Sequence, residues 1–105
     1  MTAYITVLVT TKDKQQARAI AQGLLKAKLI ACANIVDGIE SLFWWQGKID
    51  TSKEALLILK TRKSLFNELA AKVKALHSYD VPEIIALPIA AGEGKYLKWI
   101  KDSVC

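Results

Sequence analysis

Apolar residues alternate from Tyr4 to Thr10, with Ile5, Val7 and Val9 on one side, which predicts a β-branched strand. Thr11-Lys12-Asp13 follow, offering a hydroxyl and a carboxylate to cap a helix. The period then changes: Ala17, Ile20, Ala21, Leu24 and Leu25 predict one helical face. From Ile30 to Trp45 the residues suit a strand, with Asp37-Gly38 predicting a bulge or bend rather than an end. Gln46-Gly47-Lys48 can turn, and Ile49 to Thr61 returns, ending in the dense run Ala55-Leu56-Leu57-Ile58-Leu59. Ser64 is placed to cap a second helix, marked by Phe66, Leu69, Ala70, Val73 and Leu76 and ending near His77. Pro82 opens a fourth strand, Glu83 to Pro88, because a strand's first position needs no donor. Gly92-Glu93-Gly94 turns, and Tyr96, Leu97, Trp99 and Ile100 predict a short terminal helix.

The order is β-α-β-β-α-β plus a helix, an α+β, ferredoxin-like pattern in one domain over residues 1–105. Its hairpin is long for the chain. Residues 30–45, fully extended, reach roughly 50 Å at ~3.3 Å each, against a radius of gyration near ~13 Å for a domain of this size. One arm should project, carrying Leu42-Phe43-Trp44-Trp45 away from its own core. The two helices cover one sheet face and leave the other to whatever the tail reaches. Both features predict that further copies of the chain bury the exposed apolar surface.

The 105 residues are 52% hydrophobic and 24% charged, which excludes disorder. No apolar run approaches the ~18 residues of a membrane span. No basic n-region precedes the first strand, so neither a signal peptide nor a membrane partner is expected, and the expected location is cytoplasmic. Net charge is +5, from 13 Lys and 2 Arg against 10 acids. The lysines are scattered without a five-residue basic run, a solvated surface rather than a nucleic-acid patch. The aromatic signature of RNA-binding domains with this topology is also missing. Two cysteines, Cys32 and Cys105, make no disulfide framework. There is no Walker loop, no His-Glu-x-x-His, no Cys-x-x-Cys and no nucleophile beside a histidine, so no enzyme is expected.

An ordered set of residues resembles a known family: Ala31-Cys32-Ala33-Asn34-Ile35, Gly38-Ile39, Ser41, Trp45, Gly47-Lys48, Glu54, Lys60-Thr61, His77, Tyr79, Val81-Pro82-Glu83-Ile84-Ile85 and Tyr96-Leu97-x-Trp99-Ile100. These are similar to the CutA proteins of divalent-cation tolerance, over almost the whole chain. The resemblance implies a ferredoxin-like subunit in a homotrimer, with the hairpins packed between subunits. It also implies a link to copper or another divalent cation, as a binding or regulatory module. The trimer resembles the PII signalling proteins, which implies as an alternative a small anionic ligand in the intersubunit cleft. The sequence departs from the family at four positions. Val9 stands where some members carry a cysteine, Leu76 where some carry a second histidine, Ser78 where the family often has proline, and Phe43 where many carry tyrosine. A copper site built from that cysteine and paired histidines is therefore not carried over.

His77, the only histidine, is a candidate metal ligand and equally a helix C-terminal residue favoured by the macrodipole. Cys32 is a candidate soft-metal ligand as a thiolate, or a buried inert thiol between small neighbours. Cys105 lies on a terminus expected to be mobile. Glu83, in an apolar strand, needs a partner, and Lys60 is the expected one. The alternative is a polar cleft of Lys60, Tyr79 and Glu83 that binds an anion or a metal, with Trp45 able to stack on the ligand or to pack in an interface.

Overall fold

The structure is a computed structural model and describes residues 3–105; Met1 and Thr2, where the leader expectation begins, lie outside the described residues. The elements are β1 (Tyr4–Thr11), α1 (Lys14–Lys26), β2 (Cys32–Trp45), β3 (Lys48–Arg62), α2 (Phe66–Leu76), β4 (Ile84–Pro88) and α3 (Gly94–Ser103). The strands form one antiparallel sheet in the order β2-β3-β1-β4. That is the ferredoxin-like topology expected from the sequence.

The alternation in β1 buries Ile5, Val7 and Val9, which lie opposite Thr61, Leu59 and Leu57 of β3. Over this face pack Ala17, Ile20, Ala21 and Leu24 of α1 and Leu69 and Val73 of α2, closed by Leu29, Ile30 and Leu65. Leu25, predicted on the same helical face, is exposed, as is Leu76 at the end of α2. The buried stripe of α1 is narrower than its apolar pattern. Thr61 is buried too, and its hydroxyl donates to the Leu29 carbonyl at 2.7 Å, which satisfies it.

Caps explain most boundaries. The Asp13 carboxylate accepts from the Gln16 amide at 2.8 Å and starts α1. Lys28, at φ +57°, reverses the chain after α1, so Leu29 and Ile30 enter the core and β2 begins at Cys32, two residues later than the composition suggests. Ser64 does not cap α2. It lies within a single 3₁₀ turn, residues 63–65, and α2 starts without a side-chain cap. His77 is the C-cap of α2.

Between Val36 and Ile39 the register with β3 slips by one residue at Asp37-Gly38, a bulge with Gly38 at φ +68°. Past this point β3 pairs, among the described residues, with β2 alone, because β1 ends at the Thr11–Ala55 pair. The free ribbon closes through Gln46 and Gly47, both at positive φ, the two-residue turn whose twist matches a hairpin. The molecule measures 44 Å along its long axis against 26 and 23 Å across. Trp44 and Ile49 face each other across the ribbon, 74% and 65% exposed, next to Leu42 at 64%. On the sheet face away from the two-helix layer, Ile85 and Leu87 of β4 are half exposed. α3 packs against β3, with Ile100 buried. The tail is not loose: the Cys105 amide donates to the Lys28 carbonyl at 3.0 Å, and Val104 packs against the core. Among the described residues no helix is long and apolar enough to cross a membrane.

Candidate functional site

The projecting ribbon overhangs the connection between α2 and β4, and the space between them is a groove of about 920 Å³. The ribbon supplies Glu40, Phe43, Trp45, Asp50 and Glu54; the connection supplies Tyr79, Asp80 and Glu83, with Thr10 at the end of β1. Among the described residues no lysine, arginine or histidine lines it. In a chain of net charge +5, five carboxylates therefore share one concave surface without a cation among them. Such a surface repels anions and attracts cations.

Glu54 is the first residue of β3 beyond the cover of β1, and it is buried, with 8% exposed. Its carboxylate accepts the Tyr79 hydroxyl proton at 2.8 Å. Burial, then the Glu54 bond and charge, push the Tyr79 phenol up to about 12. The His77 ring lies 4.6 Å from the Tyr79 ring and anchors the same segment. Its Nε2 meets the Thr10 carbonyl at 2.7 Å, and its Nδ1 accepts the Tyr79 amide at 3.0 Å. A carbonyl can only accept and an amide N–H can only donate, so the ring is neutral with its proton on Nε2. Both nitrogens are in use. The ring is a crosslink between the end of β1 and the groove wall, not an open metal ligand.

Lys60 and Cys32 are elsewhere. They are cross-strand partners, and the Lys60 ammonium reaches the Asn34 amide oxygen and lies 4.0 Å from the Cys32 sulfur. Tyr96 of α3 meets the same thiol; burial and then Cys32 push its phenol up. Cys32 is only partly buried, which corrects the reading of it as a buried thiol. The expected Glu83–Lys60 ion pair does not form. Lys60 lies opposite Thr6, whereas Glu83 precedes Ile84, which lies opposite Val9 on the other side of β1. Four residue steps of strand, roughly 13 Å, and the width of β1 separate them. Glu83 is exposed in the groove and needs no buried partner.

Of the residues singled out from sequence, the structure brings Tyr79, Glu83 and Trp45 together and places Lys60 and Cys32 in a second cluster. His77 stands behind the groove wall. Sequence reasoning missed Glu54 as a site residue and Asn34 as the partner of Lys60. An acid standing directly before an aliphatic run was the available signal for Glu54; nothing in the pattern marked Asn34. Among the described residues no three histidine, cysteine or carboxylate groups converge to hold a metal ion.

The sequence profile of the CutA1 divalent ion tolerance protein matches residues 5–103, nearly the whole described chain. The chain belongs to the CutA1 divalent ion tolerance family. The chloroplastic CutA 1 protein of rice (Oryza sativa) is 54% identical over 99 residues, 94% of this chain and 56% of that protein. The chain thus spans little more than half of this plant relative. The divalent-cation tolerance protein CutA of Thermus thermophilus is 46% identical over 92% of this chain and 94% of its own length. The crystal structure of CutA1 from Oryza sativa superposes with a TM-score of 0.96 at 51% identity, covering 99% of this chain and 95% of that one. A CutA structure from Archaeoglobus fulgidus, described as a periplasmic divalent cation tolerance protein, gives 0.94 at 42% identity, over 97% and 99% of the two chains. CutA1 relatives thus carry names from more than one compartment, and the family alone does not assign this chain to the cytoplasm.

Proposed function

We propose that this CutA1 family member works as a homotrimer that binds copper or another divalent cation weakly and turns over no substrate. The acid-lined groove carries the reading. Glu40, Asp50 and Glu83 offer hard oxygen donors to a cation, and no basic side chain competes with it. Because no three such groups converge among the described residues of one chain, a bound ion keeps water ligands or gains donors from a neighbouring subunit. The trimer is supported by the ribbon, whose Leu42, Trp44 and Ile49 find no cover in their own chain. The absence of any lysine or arginine in the groove weighs against a PII-like anionic ligand there.

The test is titration of copper and zinc into the wild type and a Glu40→Gln/Glu83→Gln variant, with mass by light scattering on the same samples. We expect a trimer whose cation affinity falls about tenfold or more in the variant, the scale of two lost carboxylate contacts. Affinity unchanged by the substitutions refutes the groove. A monomer across micromolar concentrations refutes the assembly.

A further inference from the structure

We propose that His77 is a protonation latch on the groove wall: neutral it holds the α2–β4 connection closed, and charged it releases it. The inference does not depend on what the groove binds. It rests on the opposed hydrogen bonds of one ring. Nε2–H donates to the Thr10 carbonyl, and Nδ1 accepts the Tyr79 amide. The imidazolium carries a proton on both nitrogens. The Nε2 bond to Thr10 survives the change. At Nδ1 two N–H groups then point at each other, and the Tyr79 amide must turn away.

Tyr79 is the residue on which the wall depends. Its amide is held by His77 and its hydroxyl by Glu54, and Asp80, Val81 and Glu83 follow it directly along the groove. The connection from Ser78 to Glu83 has no regular secondary structure of its own. Loss of the amide bond leaves Tyr79 its hydrogen bond to Glu54 and the packing of the two rings. The charged groups on the elements around this connection are Glu54 on β3, Asp13 at the head of α1, Asp80 beyond Tyr79 and Lys74 in the last turn of α2. Acidification therefore loosens the acidic wall as the ring takes up its second proton, coupling groove shape to pH.

The experiment follows the Tyr79 amide by hydrogen exchange in ¹⁵N-labelled protein at pH 7.5 and pH 5, corrected for intrinsic exchange, while ring ¹⁵N shifts report the tautomer. At pH 7.5 the proton should be on Nε2. At pH 5 protection at Tyr79 should fall roughly tenfold or more, the scale of one lost hydrogen bond, while Leu57 and Leu59 keep theirs. In His77→Gln, which cannot take the charge, Tyr79 protection should be equal at the two pH values. A proton on Nδ1 at pH 7.5, a ring still neutral at pH 5, or a charged ring with Tyr79 protection intact would each overturn the latch.

Discussion

Replacing Trp44 by alanine separates the two roles given to the apolar surface. Trp44 is 74% exposed and lies in the part of the ribbon that β1 does not reach. A tryptophan offers up to ~250 Å², so roughly 185 Å² is left for a partner to cover. At ~25 cal/mol per Å² its full burial stabilises an interface by about 4–5 kcal/mol, and half that if coverage is partial. The proposed trimer would lose the contribution three times. Even ~2 kcal/mol per copy amounts to about 6 kcal/mol, or a factor near 10⁴ in the association constant. Sedimentation velocity over a thousandfold range of concentration reads this directly. The variant should dissociate at concentrations where the wild type stays assembled. Its far-UV circular dichroism should match the wild type, since Trp44 contributes nothing to the core. A variant as tightly assembled as the wild type would refute the packing role. Loss of secondary structure on dissociation would refute the separation of ribbon from core.

Three further predictions probe the fold and the groove. Tyr79→Phe strands the buried Glu54 carboxylate and should cost about 1–3 kcal/mol, read as a lower denaturant midpoint; an unchanged midpoint would mean that water replaces the hydroxyl fully. The folded chain holds the Tyr79 proton to about pH 12, whereas an unfolded tyrosine releases it near pH 10, so wild-type stability should fall between these values as pH rises, and this part of the fall should be missing from Tyr79→Phe. Leu59→Ala empties a fully buried position and should cost ~2–5 kcal/mol in denaturant unfolding, with a loss below ~1 kcal/mol showing a core able to collapse around it.

The strands were legible because their periodicity is simple. Ile5, Val7 and Val9 alternate, and a period of two has only one way to bury them. The Asp37-Gly38 bulge was readable for a similar reason, since a strand of that length needs a correction to its twist and these residues supply one. Boundaries failed where tertiary contacts overrode local chemistry. Ser64 has the right side chain for a cap, yet the chain makes a 3₁₀ turn there and buries Leu65 instead. The site was half legible. Tyr79, Glu83 and Trp45 stand on elements that the topology brings together. Lys60 was assigned to them because it follows a strand of aliphatics, but register decides where a strand residue sits, and that register is set by β1. The sign of the groove was hidden for another reason. The chain is basic as a whole, and only the folded surface shows its acids gathered in one place.

None of the three tryptophans belongs to the hydrophobic core. Trp44 and Trp45 stand on the ribbon, and Trp99 lies on α3, beside Tyr96 with ring centroids 5.4 Å apart. Intrinsic fluorescence in this protein is therefore blind to core formation and reports what happens at its periphery. In refolding, the sheet and its helices can assemble before the indoles on the ribbon change surroundings. Their signal should arrive in a later phase whose rate rises with protein concentration, while the circular dichroism phase does not. Two common probes of one folding reaction should then disagree, and their difference in time is a direct measure of how long the isolated subunit lives.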